Sequence, residues 1–177
     1  MTNKLGVKYK DSDYSGLLVR LGILAIDLSV VSLFFIGCMY FDSYLMDQYE
    51  YYDDFYFTYI SSVISFIYLT KIKTTKTGTL GQILTKSRIE TIYGTKPGLV
   101  RMTARLLFWV VGPLNFVIDI LFIAMIKEKR AVRDCICNTI VVKKSAVPIE
   151  TEVPIYVTRV FALGLNLMYE SCNSENS

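Results

Sequence analysis

Polar and apolar positions are blocked along this chain rather than evenly mixed, in three long apolar runs separated by charged stretches. The first, Leu17 to Phe41, covers 25 residues yet carries Arg20 near its start and Asp27 well inside it. As a helix it is long enough to cross a hydrocarbon layer of about 30 Å. The second, Phe55 to Thr70, would span about 24 Å, slightly short for a crossing. Tyr51, Tyr52, Tyr56 and Tyr59 at its start suit an interfacial belt. The third, Leu106 to Ile126, has Gly112-Pro113 in its first half, and proline disrupts a helix interior. Two short arms that dip in and return accommodate that break. The alternative is a single kinked span.

Between the second and third runs, Thr79 to Lys86 reads as a short helix at the membrane surface. Arg88 to Tyr93 alternates like a strand ahead of the turn signal Gly94 to Gly98, and Thr139 to Lys144 is a matching strand. In the tail, Pro148 and Pro154 frame an acidic linker. Ile155 to Tyr169 is then apolar apart from Arg159, Asn166 and, just beyond it, Glu170, spaced seven and four apart, which predicts an amphipathic helix. Disorder is expected from Ser171 onward. The expected fold is an all-α membrane protein. It has two transmembrane helices, a third apolar segment forming a helical hairpin or kinked span, a small cytoplasmic β-pair and a C-terminal amphipathic helix. Its units are an N-terminal segment 1–13, a membrane domain 14–144 and a tail 145–177.

Composition supports one compact membrane unit: 177 residues, 53% hydrophobic, with a mean hydropathy of +0.39. The net charge is only +3, but its distribution sets a topology. Asp42, Asp47, Glu50, Asp53 and Asp54 lie between the first two runs without a lysine or arginine, whereas Lys71 to Arg105 holds eight basic residues against Glu90 alone. The positive-inside rule puts the amino terminus in the cytoplasm and the acidic loop outside. A returning hairpin also keeps Lys127, Lys129, Arg130, Arg133, Lys143 and Lys144 inside. The basic residues flank apolar runs instead of forming an aromatic-interleaved patch, so anionic headgroups are the expected partner and nucleic acid is not. Met1 to Gly16 is polar and the first run is too long for a cleaved signal, so it should remain as an anchor. Cys38, Cys135, Cys137 and Cys172 lack zinc-type spacing and the chain has no histidine, so they read as reduced thiols and no metal or cofactor is expected. Cys135 and Cys137, near the expected membrane surface, are candidates for acylation. No glycine-rich phosphate loop and no nucleophile with an identifiable base points to an enzyme.

A charge near a helix centre in a membrane costs roughly 2.5–3.5 kcal/mol, so Asp27 should face protein, water or a bound ion. Arg20 and Asp27 share a helical face but lie about 10 Å apart along the axis, so they are not a direct pair. On a returning arm, Asp119 would reach nearly the depth of Asp27, with Asn115 one turn away. Such facing acids would share a proton or hold a cation. The structural alternatives are an Asp27 neutralised by a proton or a neighbouring helix, and an Asp119 solvated by Asn115 and a water crevice. Asp134, at the expected level of Arg20, suggests a salt bridge clamping the first helix to the segment after the hairpin.

This combination resembles the RDD family of small membrane proteins: Arg20 in Leu17-Leu18-Val19-Arg20-Leu21, Asp27 in Ala25-Ile26-Asp27-Leu28 and Asp134 in Arg133-Asp134-Cys135 match in order and setting. Thr79-Leu80-Gly81-Gln82 is similar to the family's Thr-Pro-Gly-Lys element, and Asn138 to Lys144 to its closing strand. Leu80 and Gln82 replace the usual proline and lysine, and Arg133 stands where histidine is common, which removes a histidine-based proton relay. The resemblance implies a multi-pass protein of the bacterial cytoplasmic membrane, with the amino terminus inside. It also implies either a small monovalent cation/proton exchanger using the intramembrane carboxylates or a non-transporting scaffold or accessory subunit. Two spans and a hairpin enclose little protein, so a pathway would need a homo-oligomer or a partner membrane protein.

Overall fold

Helix α1 runs from Leu17 to Gln48, seven residues beyond the apolar run that predicts it. Its best 18-residue window has a mean hydropathy of 2.3, and only 11% of that window is buried. Leu18, Leu33 and Tyr40 are more than two-thirds exposed. Such a face is too apolar and too extensive for water, and it suits lipid or a protein partner. Of the helices, α1 is the one long and apolar enough to cross a membrane among the described residues.

The computed structural model describes residues 6–49, 52, 55–110, 113–126, 128–149, 155–160 and 165–170; for 109–110, 113–116, 155–160 and 165–170 it describes the backbone alone. Helix α2, Tyr56–Thr70, packs along α1. Its amino-terminal N–H groups find their acceptor on α1: Asp42 Oδ1 accepts from Phe57 N (3.1 Å) and the Tyr52 hydroxyl (2.7 Å). Asp42 Oδ2 accepts from Thr58 N and Thr58 Oγ1, both at 2.7 Å. A helix start leaves orphan donors that a carboxylate is well suited to satisfy. Asp42, counted in sequence among the acids of an outer loop, is thus a buried helical residue tying two helices together. Glu50, Asp53 and Asp54 of that loop lie outside the described residues.

A 3-10 turn, Ile72–Thr74, follows α2, then α3, Leu80–Leu84, and β1, Ser87–Thr91. The third apolar run begins seven residues earlier than expected and is split: α4 is Leu99–Val110 and α5 is Pro113–Met125. Arg105 on α4 and Asp119 on α5 are 14 positions apart, about 21 Å along one straight helix. Yet both meet the short helix α6, Val132–Cys137, at adjacent residues, Arg105 Nη2 to Asp134 Oδ1 at 2.9 Å and Arg133 Nε to Asp119 Oδ2 at 3.1 Å. Helix α6 therefore ties α4 to α5, and the run is two helices divided where the sequence places the break.

Strand β2, Thr139–Lys143, pairs antiparallel with β1, from Ser87 opposite Lys143 to Thr91 opposite Thr139. The segment before α1 joins this layer: Tyr14 bridges Val142, Ser15 N donates to Val141 O (2.9 Å) and Val7 N to Ile92 O (2.8 Å). Tyr9, Tyr14, Ile92, Ile140, Val142 and Ala146 form its small core. Residues 7–13 are therefore part of the folded body. Burial and the Glu90 carboxylate beside it push the Tyr9 hydroxyl up to about 12.

The tail corrects the expectation of an amphipathic helix. Ile155–Val160 and Leu165–Glu170 form an antiparallel hairpin, β3 and β4, with Arg159 opposite Asn166 and Ile155 opposite Glu170. The seven-and-four spacing is real, but Ile155, Val157, Thr158 and Val160 are β-branched, which lowers helix propensity and favours the pleated surface. With two such sheets, the protein is mostly helical but not all-α. The end from Ser171 lies outside the described residues.

Candidate functional site

Two polar centres sit where α1 meets the elements that follow it. At the first, Asp134 is fully buried at the start of α6. Arg20 Nη1 is in contact with its Oδ2, Arg105 Nη2 with its Oδ1, and Ala131 N donates to Oδ2 at 3.4 Å, capping the helix. Arg20 also donates from Nε to Ser15 O (3.0 Å) and from Nη2 to Lys129 O (2.7 Å), so it stitches both chain ends of the centre to α1. Burial alone would raise the Asp134 pKa. The surrounding guanidiniums of Arg105, Arg20 and Arg133 outweigh it and hold the carboxyl well below its usual range.

At the second centre, Asp27 is also fully buried. Its Oδ1 accepts from Gly81 N (3.0 Å) and the Tyr68 hydroxyl (3.3 Å); its Oδ2 accepts from Thr79 Oγ1 (2.9 Å) and lies 3.1 Å from Lys73 Nζ. A carboxylate offers about four lone-pair sites, and here four donors from one loop and the end of α2 take them. Burial pushes the Lys73 ammonium below its ordinary value, against the pull of Asp27. Gly81 is required: a Cβ there would sit 2.6 Å from Ile23 O and 2.8 Å from Asp27 Oδ1.

The two departures in this loop have local accounts. Gln82 Oε1 accepts from Thr79 N (3.0 Å), closing a capping box. Leu80 N donates to the Tyr68 hydroxyl (3.0 Å), which proline at that position could not do.

The structure does not bring Asp27 and Asp119 together. Asp119 is engaged by Arg133, the residue standing in the place of the common histidine. The side chain of Asn115 lies outside the described residues. Between the centres is a cleft of about 80 Å³, with Arg20, Lys73, Arg105 and Arg133 among leucine and isoleucine walls. It is large enough for a few waters. Four cations line it and three carboxylates, Asp27, Asp119 and Asp134, stand behind them.

Cys135 is fully buried and its thiol pushed up to about 11 by burial; Cys137 is 6% exposed. Neither is presented for acylation in this fold.

Lys73, Tyr68, Thr79, Gly81 and Arg105 are partners of the two acids beyond the site residues that the sequence predicts. The signal available was the count of buried acids, since each requires donors, and the Thr79-Leu80-Gly81-Gln82 element was the nearest supply.

A model of the RDD family matches residues 14–138. The chain matches no curated protein and no solved structure.

Proposed function

Because the chain belongs to the RDD family, and family membership with one long apolar helix fits a membrane protein, we propose that it is a membrane-embedded assembly module: a non-transporting scaffold or accessory subunit of a larger membrane complex. The observation carrying this reading is the donor shell around each acid. Cation binding needs acceptor oxygens, and Asp27, Asp119 and Asp134 all face protein cations instead. They act as the fasteners of α1, the α3 loop and the hairpin, while the apolar flank of α1 is left to lipid or a partner chain.

The proposed placement is α1 and α2 crossing a bacterial cytoplasmic membrane, the α4–α5 pair re-entering, and the β1–β2 layer in the cytoplasm. Cysteine at exposed position 48 should react with an impermeant maleimide in intact cells, in a variant lacking Cys38 and Cys172, while cysteine at exposed position 76 should not. Reaction at 76 from outside reverses the topology.

A second reading, a monovalent cation/proton exchanger, is favoured by one observation: Lys73, the partner of buried Asp27, lines the cleft. An incoming cation could compete for Asp27 while Lys73 sheds its proton. Purification in mild detergent with native mass determination, coupled to pH-gradient dissipation in vesicles, separates the two. The module reading expects a stoichiometric copurifying subunit and no response to sodium, potassium or lithium. A cation response by wild type that is lost in Asp27→Asn at equal folded amounts overturns it in favour of exchange.

A further inference from the structure

A second, more polar cleft of about 260 Å³ opens beside the first, between the loop after α2 and the β1–β2 layer, and Lys73 and Ile89 belong to both. We propose that this cleft binds a phosphate-bearing anion, such as the headgroup of an acidic phospholipid, at the edge of the membrane.

Charge is the first argument. Lys73, Lys76, Arg88, Lys96 and Lys144 line the cleft against a single carboxylate, Glu90. Glu90 is already taken, by Arg88 Nε at 2.9 Å and by the Tyr9 hydroxyl. With Lys73 held by Asp27 and Arg88 by Glu90, Lys76, Lys96 and Lys144 remain as positive charge without a carboxylate in a concave setting, which focuses its field on an anion.

Preorganisation is the second. Arg88 is fixed by the carbonyls of Lys144 (2.9 Å) and Ala146 (3.0 Å), and Lys144 Nζ reaches across to Thr77 O at 2.7 Å, holding the loop to the sheet. The walls come from segments some 70 positions apart in sequence, so the concavity belongs to the tertiary fold. The Thr74 and Thr75 hydroxyls are spent on the carbonyls of Lys71 (2.8 Å) and Ile72 (2.7 Å), which fixes this wall of the cleft and leaves the ammonium groups to meet the phosphate oxygens.

Position is the third. The cleft begins three residues past the end of α2. If α2 crosses the membrane as proposed above, the cleft stands at headgroup level. This part alone rests on the membrane placement, and it decides between a lipid phosphate and a free one. Lys73, shared with Asp27, sits at the inner end, while Lys76 and Lys96 are exposed at the rim.

The test uses the full-length protein in neutral detergent, as wild type and as the double variant Lys76→Gln/Lys96→Gln. The rim lysines are exposed, so the variant should keep the unfolding temperature of wild type. One arm exchanges the protein against mixed micelles of phosphatidylcholine and phosphatidic acid and reads retained lipid by native mass determination. The other titrates inorganic pyrophosphate by calorimetry. Preferential retention of phosphatidic acid that falls about thirtyfold in the variant, the combined worth of two lysines near an anion, supports a lipid phosphate. Pyrophosphate binding that weakens in the variant, without lipid preference, supports a free phosphate. No binding in either arm, or binding equal in wild type and variant, overturns the site.

Discussion

Asp134→Ala should lower the stability of the folded protein by about 3–5 kcal/mol, the usual result of leaving buried charges without their partner. The loss is large because one carboxylate serves two guanidiniums. Without it, Arg20 and Arg105 are left facing each other, 7% exposed in the case of Arg20. Arg20→Ala should cost less, since Asp134 keeps Arg105 and the lost bonds to Ser15 and Lys129 are each worth about 1 kcal/mol. The double variant should be less damaged than the sum; strict additivity in detergent unfolding would show that the contact contributes nothing. The pH dependence has a definite sign. The Asp134 carboxyl is depressed in the fold, so its contribution is present above the unfolded value of about 4. It is lost as pH falls from there through the lower folded value. Wild type should hold its unfolding temperature from neutrality to about pH 5 as far as this group is concerned, and Asp134→Asn should lose the acid-side dependence that Asp134 supplies.

Gly81→Ala is expected to be nearly as harmful despite adding one methyl group. The new Cβ would collide with backbone, Ile23 O at 2.6 Å and Ile23 Cα at 3.0 Å, which cannot swing aside as a side chain could. Overpacking of this kind costs about 1–3 kcal/mol, and lifting α3 from α1 would also stretch the Gly81 and Thr79 bonds to Asp27. Gly37→Ala is the matched control on α1. Nothing lies within 4 Å of a Cβ there, and alanine is the better helix former by about 1 kcal/mol. Thermal unfolding should show Gly81→Ala well below wild type and Gly37→Ala at or above it. Equal behaviour of the two would mean that the α1–α3 contact is not close in solution.

Much of the scaffold could be read in the sequence because it follows from runs and charge signs. The three apolar segments, the break at Gly112-Pro113 and the β1–β2 pair depend on local pattern, and Arg20 could be set beside Asp134 because both were expected at one depth. Asp27 was different. Its donors arrive from Tyr68, Lys73, Thr79 and Gly81, more than 40 positions away, and a 3-10 turn folds Lys73 back beneath α2 with no signature in composition. Depth alone suggested Asp119 as its neighbour, but Arg133 has the stronger claim on that acid. Asparagine at position 27 cannot be a faithful mimic either: one of its two terminal atoms donates, and four donors surround it. The tail failed for another reason. Spacing on a helical wheel and alternation on a strand overlap in a short segment, and β-branching decided between them.

The pairing of residues 8–15 with residues 141–149 has a consequence for synthesis. Lys8 and Tyr14 leave the ribosome well over a hundred residues before their partners Ile149 and Val142. The clasp is a contact of very high sequence separation, so its closure is entropically costly and late. Asp27 meets its donors at residues 68–81 well before that, whereas Arg20 waits more than a hundred residues for Asp134. The amino-terminal segment is thus made first and fixed only when β2 and the residues after it have been made.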